Sequence, residues 1–209
     1  IRMPVGWFKT LKDPRVTWQL QYQGSDGTLG RVTPLASGKV LGGSSSINGA
    51  VYNRGQKEDF DTWAELGNPG WSYADVRPYF RKSEHLYGIG DDRYRGREGA
   101  MPVSPISWRT AVGETFLEGA RSIGIPESAD YNGETQTGVN YTQGNILRGR
   151  RWSTAHAFLH PARRRFKVQV RTDATVTRIV LDGHRASGVE YRQGSESQTR
   201  SIAASRAVV

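Results

Sequence analysis

The sequence contains no cysteine, which excludes disulfides and thiolate metal sites and leans toward a cytoplasmic setting rather than an oxidising one. No apolar run approaches the roughly 20 residues that a membrane-spanning helix needs. Acidic residues are in deficit: 20 Asp and Glu stand against 29 Lys and Arg, for a formal net charge of +9. The deficit is concentrated between Tyr141 and Thr172, where Arg148, Arg150, Arg151, Arg163, Arg164, Arg165, Lys167 and Arg171 occur without a single carboxylate. A stretch of this kind could follow a phosphate backbone. Aromatics that could stack on bases are limited there to Trp152, Phe158 and Phe166, and no nucleic-acid-binding motif surrounds them. The expectation is therefore no nucleic-acid partner, and a solvated basic face or an interface with another part of the protein. The opening Ile1-Arg2-Met3-Pro4 has neither an initiator methionine nor the apolar core of a signal peptide, as expected of a chain that begins inside a longer one.

What the sequence has in quantity is glycine, 25 residues of 209, and the densest use of it lies in Gly38 to Tyr52, GKVLGGSSSINGAVY. Glycine has no Cβ and serine adds short donors, so such a run lets backbone amides approach a ligand closely, an anion or a flat polar ring. A flexible linker has a similar composition. It has no reason, however, to be bracketed by Val40-Leu41 on one side and Ile47, Val51 and Tyr52 on the other, since apolar residues order a segment.

Along the rest of the chain, Val5 to Trp18 carries too many breakers for a long helix, Thr17 to Gln23 reads as extended, and Gly24-Ser25-Asp26-Gly27 as a turn. Lys57 to Leu66 has helical spacing and stops at Asn68-Pro69-Gly70. Ser72 and Asp75 then suggest a capping box for a helix running to about His85, with Pro78 inside it. Gly88 to Gly99 reads as a solvated loop, Met101 to Ser104 as a strand, and Glu114 to Ile123 as a helix stopped by Gly124. Ser153 can cap a helix to about Pro161, on which His156 and His160 share a face. Without a third ligand nearby the pair is read as structural, and no metal is expected. From Phe166 the period becomes two: Phe166, Val168 and Val170 alternate, and a hairpin turn at Asp182-Gly183 joins two strands. Thr199 to Ala203 fits a further strand, and Arg206 to Val209 another. Asn140-Tyr141-Thr142 fits a glycosylation acceptor pattern that is common by chance.

The run from Gly38 to Tyr52 resembles the first signature of the glucose-methanol-choline family of flavin oxidoreductases, with its choline dehydrogenase-like and alcohol dehydrogenase-like members. The likeness continues through Arg54-Gly55, Asp59-Phe60-Asp61, Trp63-Ala64, Gly67-Asn68-Pro69-Gly70-Trp71, Val76 and Pro78 to Glu84, and resumes at Gly149 to Pro161 and in the last strands. It implies a mixed α/β fold: a portion of a Rossmann-like FAD-binding domain with a β-meander, plus part of an antiparallel-sheet substrate domain. In those terms residues 1–60 and 151–209 are FAD-binding parts, the latter holding the meander, and 61–150 the substrate-domain part. The resemblance also implies bound FAD and a small-molecule alcohol oxidised at its CH–OH group by hydride transfer to the flavin. The family's flavin contacts carry over to Ser44, to Asn48, Gly49, Ala50 and Val51, to Val40 through its backbone, and to Val176, whose counterpart faces the adenine. Where some members attach the flavin covalently through a histidine, Ile47 stands here, so the FAD is expected to be non-covalent.

The chain departs from the family pattern in three respects. No G-x-G-x-x-G precedes Gly38, the family's late catalytic histidine has no counterpart, and Leu35-Ala36-Ser37 replaces the usual Pro-Arg before the signature. The expectation is an internal fragment whose catalytic residue is not among these 209. Two alternatives stay open at this point: an FAD-containing hydroxynitrile lyase of the same family, and a basic, non-enzymatic binding module.

Overall fold

The computed structural model describes residues 2–209, which divide into two compact units, 2–165 and 166–209. The first opens with a helical turn, Pro4–Gly6, and the four-residue α1 (Trp7–Thr10), in keeping with the breakers that follow at Lys12-Asp13-Pro14. The antiparallel strands β1 (Thr17–Tyr22) and β2 (Thr33–Gly38) pair in register from Thr17 opposite Gly38 to Tyr22 opposite Thr33. The expected turn is tightened by a 3-10 turn at Asp26–Thr28. β2 escapes pattern reading because Thr33-Pro34-Leu35-Ala36 neither alternates nor avoids proline. A two-stranded ribbon consists only of edges, and there a proline is tolerated.

Helices α2 (Lys57–Glu65) and α3 (Tyr73–Ser83) stand where their spacing predicts. The capping box is formed: Ser72 N–H donates to Asp75 Oδ2 at 3.2 Å and Asp75 N–H to Ser72 Oγ at 3.3 Å. Pro78 lies inside α3, at the cost of one backbone bond. Phe60 ties the two helices, its ring 5.5 Å from Phe80 and 5.3 Å from Trp63, both edge-on. α3 does not run to His85. Glu84 turns extended at φ −93° and ψ 143° and opens β3 (Glu84–Leu86), because its carboxylate is drawn inward to two arginines.

β3 pairs parallel with β4 (Met101–Pro105), and β4 antiparallel with β5 (Gln143–Gly144). Between them in sequence runs α4 (Ala111–Ser122), opened three residues before the expected Glu114 by Thr110, whose Oγ1 accepts from Gly113 N–H. A two-residue antiparallel pair follows, β6 (Ile146–Leu147) with β7 (Arg150–Arg151), then a π-helical turn at Ala155–Leu159 that leads into α5 (His160–Arg165). The apolar core of this unit includes Ile47, Ala50, Leu86, Val103, Leu117 and Ala155.

The expected solvated loop over Gly88 to Gly99 needs a correction, for Arg95 within it is fully buried. A guanidinium can be buried only where its donors are met. Here Nε donates to Glu84 Oε1 at 2.8 Å, Nη1 and Nη2 each donate to Gln143 Oε1 at 3.0 Å, and Nη1 also pairs with Asp130. Glu84, equally buried, pairs with Arg54 through its other oxygen and accepts from Gly96 N–H at 3.2 Å.

The second unit is an antiparallel meander in the order β8 (Ala174–Asp182), β9 (Arg185–Gln193), β10 (Thr199–Ala203). β8 and β9 are joined by the expected tight turn, with Asp182 opposite Arg185 and Gly183 at φ 57°. Phe166, Val168 and Val170 form no strand despite their alternation, and neither does Arg206 to Val209. Alternation marks a chain that can pair, but a strand exists only where a neighbour supplies the hydrogen bonds, and neither segment has one among the described residues. Among those residues, no helix is long and apolar enough to cross a membrane.

Candidate functional site

Gly38 ends β2, and the chain there doubles back against the turn that follows. A Cβ on Gly38 would lie 2.3 Å from the carbonyl carbon and oxygen of Gly43, so only glycine fits. Gly38 N–H donates to Ser44 Oγ at 3.1 Å, which leaves the exposed Ser44 hydroxyl proton available as a donor. Gly43–Ser46 forms a 3-10 turn whose other serines close it internally: Ser45 Oγ donates to Gly42 C=O at 2.5 Å and Ser46 Oγ to Leu41 C=O at 2.8 Å. Thr154, 109 residues further on, locks the turn from outside by donating its N–H to Ser45 Oγ at 3.0 Å. Glycine and serine here build a rigid turn, not a linker.

Of the next five residues two enter the core and three stay at the surface. Ile47 is 1% exposed and Ala50 2%, while Asn48, Gly49 and Val51 face outward. Ala50 holds φ 60°, a left-handed backbone that costs an L-residue on the order of 1–2 kcal/mol. Three bonds hold it there: its N–H donates to Asn48 Oδ1 at 2.9 Å, Asn145 N–H donates to its carbonyl at 2.8 Å, and Tyr52 N–H donates to Gln143 C=O at 2.8 Å. The result is an outward ridge on which the N–H groups of Gly49 and Val51 have no hydrogen-bond partner among the described residues. A Cβ built on Gly49 meets nothing within 4 Å, so the space in front of that backbone is open.

Two buried arginine systems support the ridge. On one side Arg151, 3% exposed, donates from Nη1 to Asn48 Oδ1 at 2.8 Å and to Ser45 C=O at 3.2 Å, and from Nη2 to Asn48 C=O. Burial holds the pKa of this guanidinium below its ordinary value. On the other side Tyr52 C=O accepts from Tyr131 Oη at 2.6 Å and Asn132 Nδ2 at 3.2 Å, and these lead into the Gln143, Arg95 and Glu84 network. No group on the ridge itself ionises near neutrality. It can orient a ligand and donate hydrogen bonds to acceptor atoms, but it cannot exchange protons.

The profile of the GMC oxidoreductase family matches residues 21–209. The chain belongs to the GMC oxidoreductase family. It is 38% identical to an oxygen-dependent choline dehydrogenase of Rhizobium etli over 209 residues, which is this entire chain and 37% of that protein. To the mitochondrial choline dehydrogenase of Homo sapiens it is 39% identical over 197 residues, 94% of this chain and 33% of that one. The chain thus spans little more than a third of the curated relatives it matches. Among solved structures it superposes on pyridoxine 4-oxidase from Mesorbium loti with a TM-score of 0.87 at 26% identity, covering 97% of this chain and 40% of that one. An FAD-dependent oxidoreductase from Chaetomium thermophilum gives 0.83 at 28% identity, covering 93% and 36%.

Of the candidate contacts in this GMC oxidoreductase chain, Val40, Ser44 and Asn48 to Val51 share the first unit. Val40, half-buried, lines a cavity of about 270 Å³ together with Ser46 and Arg151. Val176 belongs to the second unit, on β8, where it is exposed. His156 and His160 do lie together, rings 5.3 Å apart and edge to face, but no group of three metal-ligating side chains occurs among the described residues. Burial, then His160 and Arg2, lowers the His156 pKa. Sequence reading treated the arginines between Tyr141 and Thr172 as one basic face. Arg148, Arg150 and Arg163 to Arg165 are indeed exposed, whereas Arg151 is buried. No spacing could have marked it, since 103 residues separate it from Asn48.

Proposed function

We propose that this chain forms the flavin-facing part of an FAD-dependent oxidoreductase that oxidises the CH–OH group of a small alcohol by hydride transfer to non-covalently held FAD. The observation that carries the reading is the exposed ridge Asn48 to Val51, with two backbone N–H groups unpartnered among the described residues and open space beside Gly49, in a chain of the GMC oxidoreductase family. FAD, when bound, supplies the hydride acceptor. The donor set fits such a group: Gly49 N–H, Val51 N–H and the Asn48 carboxamide can meet acceptor atoms of a flat ring, and Gly49 admits close approach. Donors aimed at a ring that gains negative charge on reduction favour the reduced state without exchanging a proton. Ser44 offers its hydroxyl and Val40 its backbone, while Ala50, whose own N–H and C=O are both bonded, serves by holding the turn that presents Gly49 and Val51. Val176 is assigned to the adenine side by its place in the family pattern. In the same terms residues 1–60 and 151–209 serve the cofactor and 61–150 the substrate side. Ile47 is buried and carries no nucleophile, which supports non-covalent attachment.

The choline dehydrogenase relatives support an alcohol donor and make choline the first to assay. Neither the lyase nor the basic-module alternative has an observation in its favour. The test is anaerobic mixing of the intact, flavin-loaded protein with choline and with simple primary alcohols. Bleaching of the flavin band without added nicotinamide is expected; a band unchanged by every alcohol overturns the reaction class. Acid precipitation should leave the flavin in the supernatant, and yellow colour in the washed pellet would refute non-covalent binding.

A further inference from the structure

We propose that Arg151 is a positioning residue that fixes Asn48 as an obligate hydrogen-bond donor toward the ligand. The side-chain oxygen of Asn48 receives two donors, Arg151 Nη1 at 2.8 Å and Ala50 N–H at 2.9 Å. Two donors occupy both lone pairs of an amide oxygen, so the carboxamide cannot be turned over, and its NH₂ must point the other way. That NH₂ has no partner among the described residues and Asn48 is exposed, so it is the group left to meet a ligand. The second arm of the same guanidinium holds the Asn48 main-chain carbonyl, so one rigid fork grips the residue at both ends of its side-chain torsions. A third contact, to Ser45 C=O at 3.2 Å, ties the fork to the Gly43–Ser46 turn.

The fork is itself held from behind. Arg151 lies on β7, opposite Ile146, its side chain is buried, and its own N–H donates to Arg2 C=O at 2.9 Å. Arginine is required for its planar geometry. Lysine would bring a charge to the same region, but a single ammonium on a flexible stem cannot span Ser45 C=O, Asn48 C=O and Asn48 Oδ1 together. The consequence for recognition is one of polarity: the ligand atom facing Asn48 has to be an acceptor. This extends the proposed flavin-facing role of the ridge and rests on it for the identity of the ligand, but not for the orientation of Asn48.

The experiment separates the two. Crystal structures of the intact protein freed of flavin, as wild type and as Arg151→Lys, report the Asn48 side chain directly. The expected result is a single Asn48 conformer in the wild type, and a rotated or doubly occupied carboxamide in Arg151→Lys with the fold unchanged. An Asn48 that stays in place in Arg151→Lys overturns the proposal. FAD titration of Arg151→Lys, Asn48→Ala and the double variant then reads the consequence. Each single variant should weaken FAD about tenfold, the scale of one good hydrogen bond to a held donor. The double variant should be no weaker than Asn48→Ala, because Arg151 acts through Asn48. Additive losses refute that route. If Asn48 is released in Arg151→Lys yet neither Asn48→Ala nor Arg151→Lys alters FAD affinity, the positioning role is upheld and the flavin-facing reading of the ridge fails.

Discussion

Glu84→Gln should be among the most damaging single substitutions in the chain, although Glu84 touches no candidate ligand contact. Four charges meet in the interior of the first unit, Arg54 and Arg95 against Glu84 and Asp130. The side chains of Arg54, Glu84 and Arg95 are 2%, 0% and 0% exposed. As they stand the four cancel. Glutamine at position 84 keeps the shape but leaves one uncompensated positive charge in a buried site, and breaking a buried pair in this way costs about 3–5 kcal/mol. Against a typical total of about 5–15 kcal/mol that is a large share. The exposed Lys57 and Asp61 pair is the internal control: the Lys57 side chain is 62% exposed, and Lys57→Ala should leave the unfolding midpoint close to that of the wild type. Denaturant unfolding of the intact protein, followed by tryptophan fluorescence, measures both. Adding Arg95→Met to Glu84→Gln should recover part of the loss, because one positive and one negative charge then remain. If Glu84→Gln unfolds at the same midpoint as Lys57→Ala, or if the second substitution merely adds its own full cost, the reasoning from buried charge balance is wrong.

The two glycines of the site should separate folding from binding. Gly38→Ala forces a Cβ to within 2.3 Å of the Gly43 backbone and should destabilise by about 1–3 kcal/mol, visible in the unfolding midpoint. Gly49→Val points into open space, so the apoprotein should melt as the wild type does while FAD retention is lost; equal flavin content in Gly49→Val and Lys57→Ala proteins would contradict it. His156 supplies a pH effect of known sign. Its pKa is lowered in the folded state from 6.5, so the unfolded chain takes up the proton first. Its contribution to stability is therefore complete above pH 6.5 and is lost as pH falls through the lower folded-state value. His156→Gln should flatten the fall in unfolding midpoint below pH 6.5, and an unchanged slope would remove His156 as its source.

Much of the site was legible because it is local. Gly38 to Tyr52 carries its own turn chemistry, and the structure folds it by short-range bonds such as Gly38 N–H to Ser44 Oγ and Ser46 Oγ to Leu41 C=O. Helices α2 and α3 were legible for the same reason, α2 from its apolar spacing and α3 from its capping box and apolar spacing, all within a dozen residues. The hairpin at Asp182-Gly183 was likewise written in its turn residues. Phe166 to Val170 shows the limit: its alternation is genuine, yet no partner strand takes it up, so it forms no strand.

By itself the sequence determined the family and the mixed α/β class, and it singled out Gly38 to Tyr52 as the candidate for ligand contact, because each rests on contiguous residues. Only the tertiary structure decided which polar groups are buried and to whom they are bonded. Arg95 reads as one arginine among several in a charged loop until Glu84, Asp130 and Gln143 close around it, across as many as 48 residues. Arg151 reads as part of a basic run until its fork is found beneath Asn48. The physical reason is the same for both. A buried charge is tolerated only when its hydrogen bonds are complete. The partners that complete them come from distant segments, which no local pattern can name.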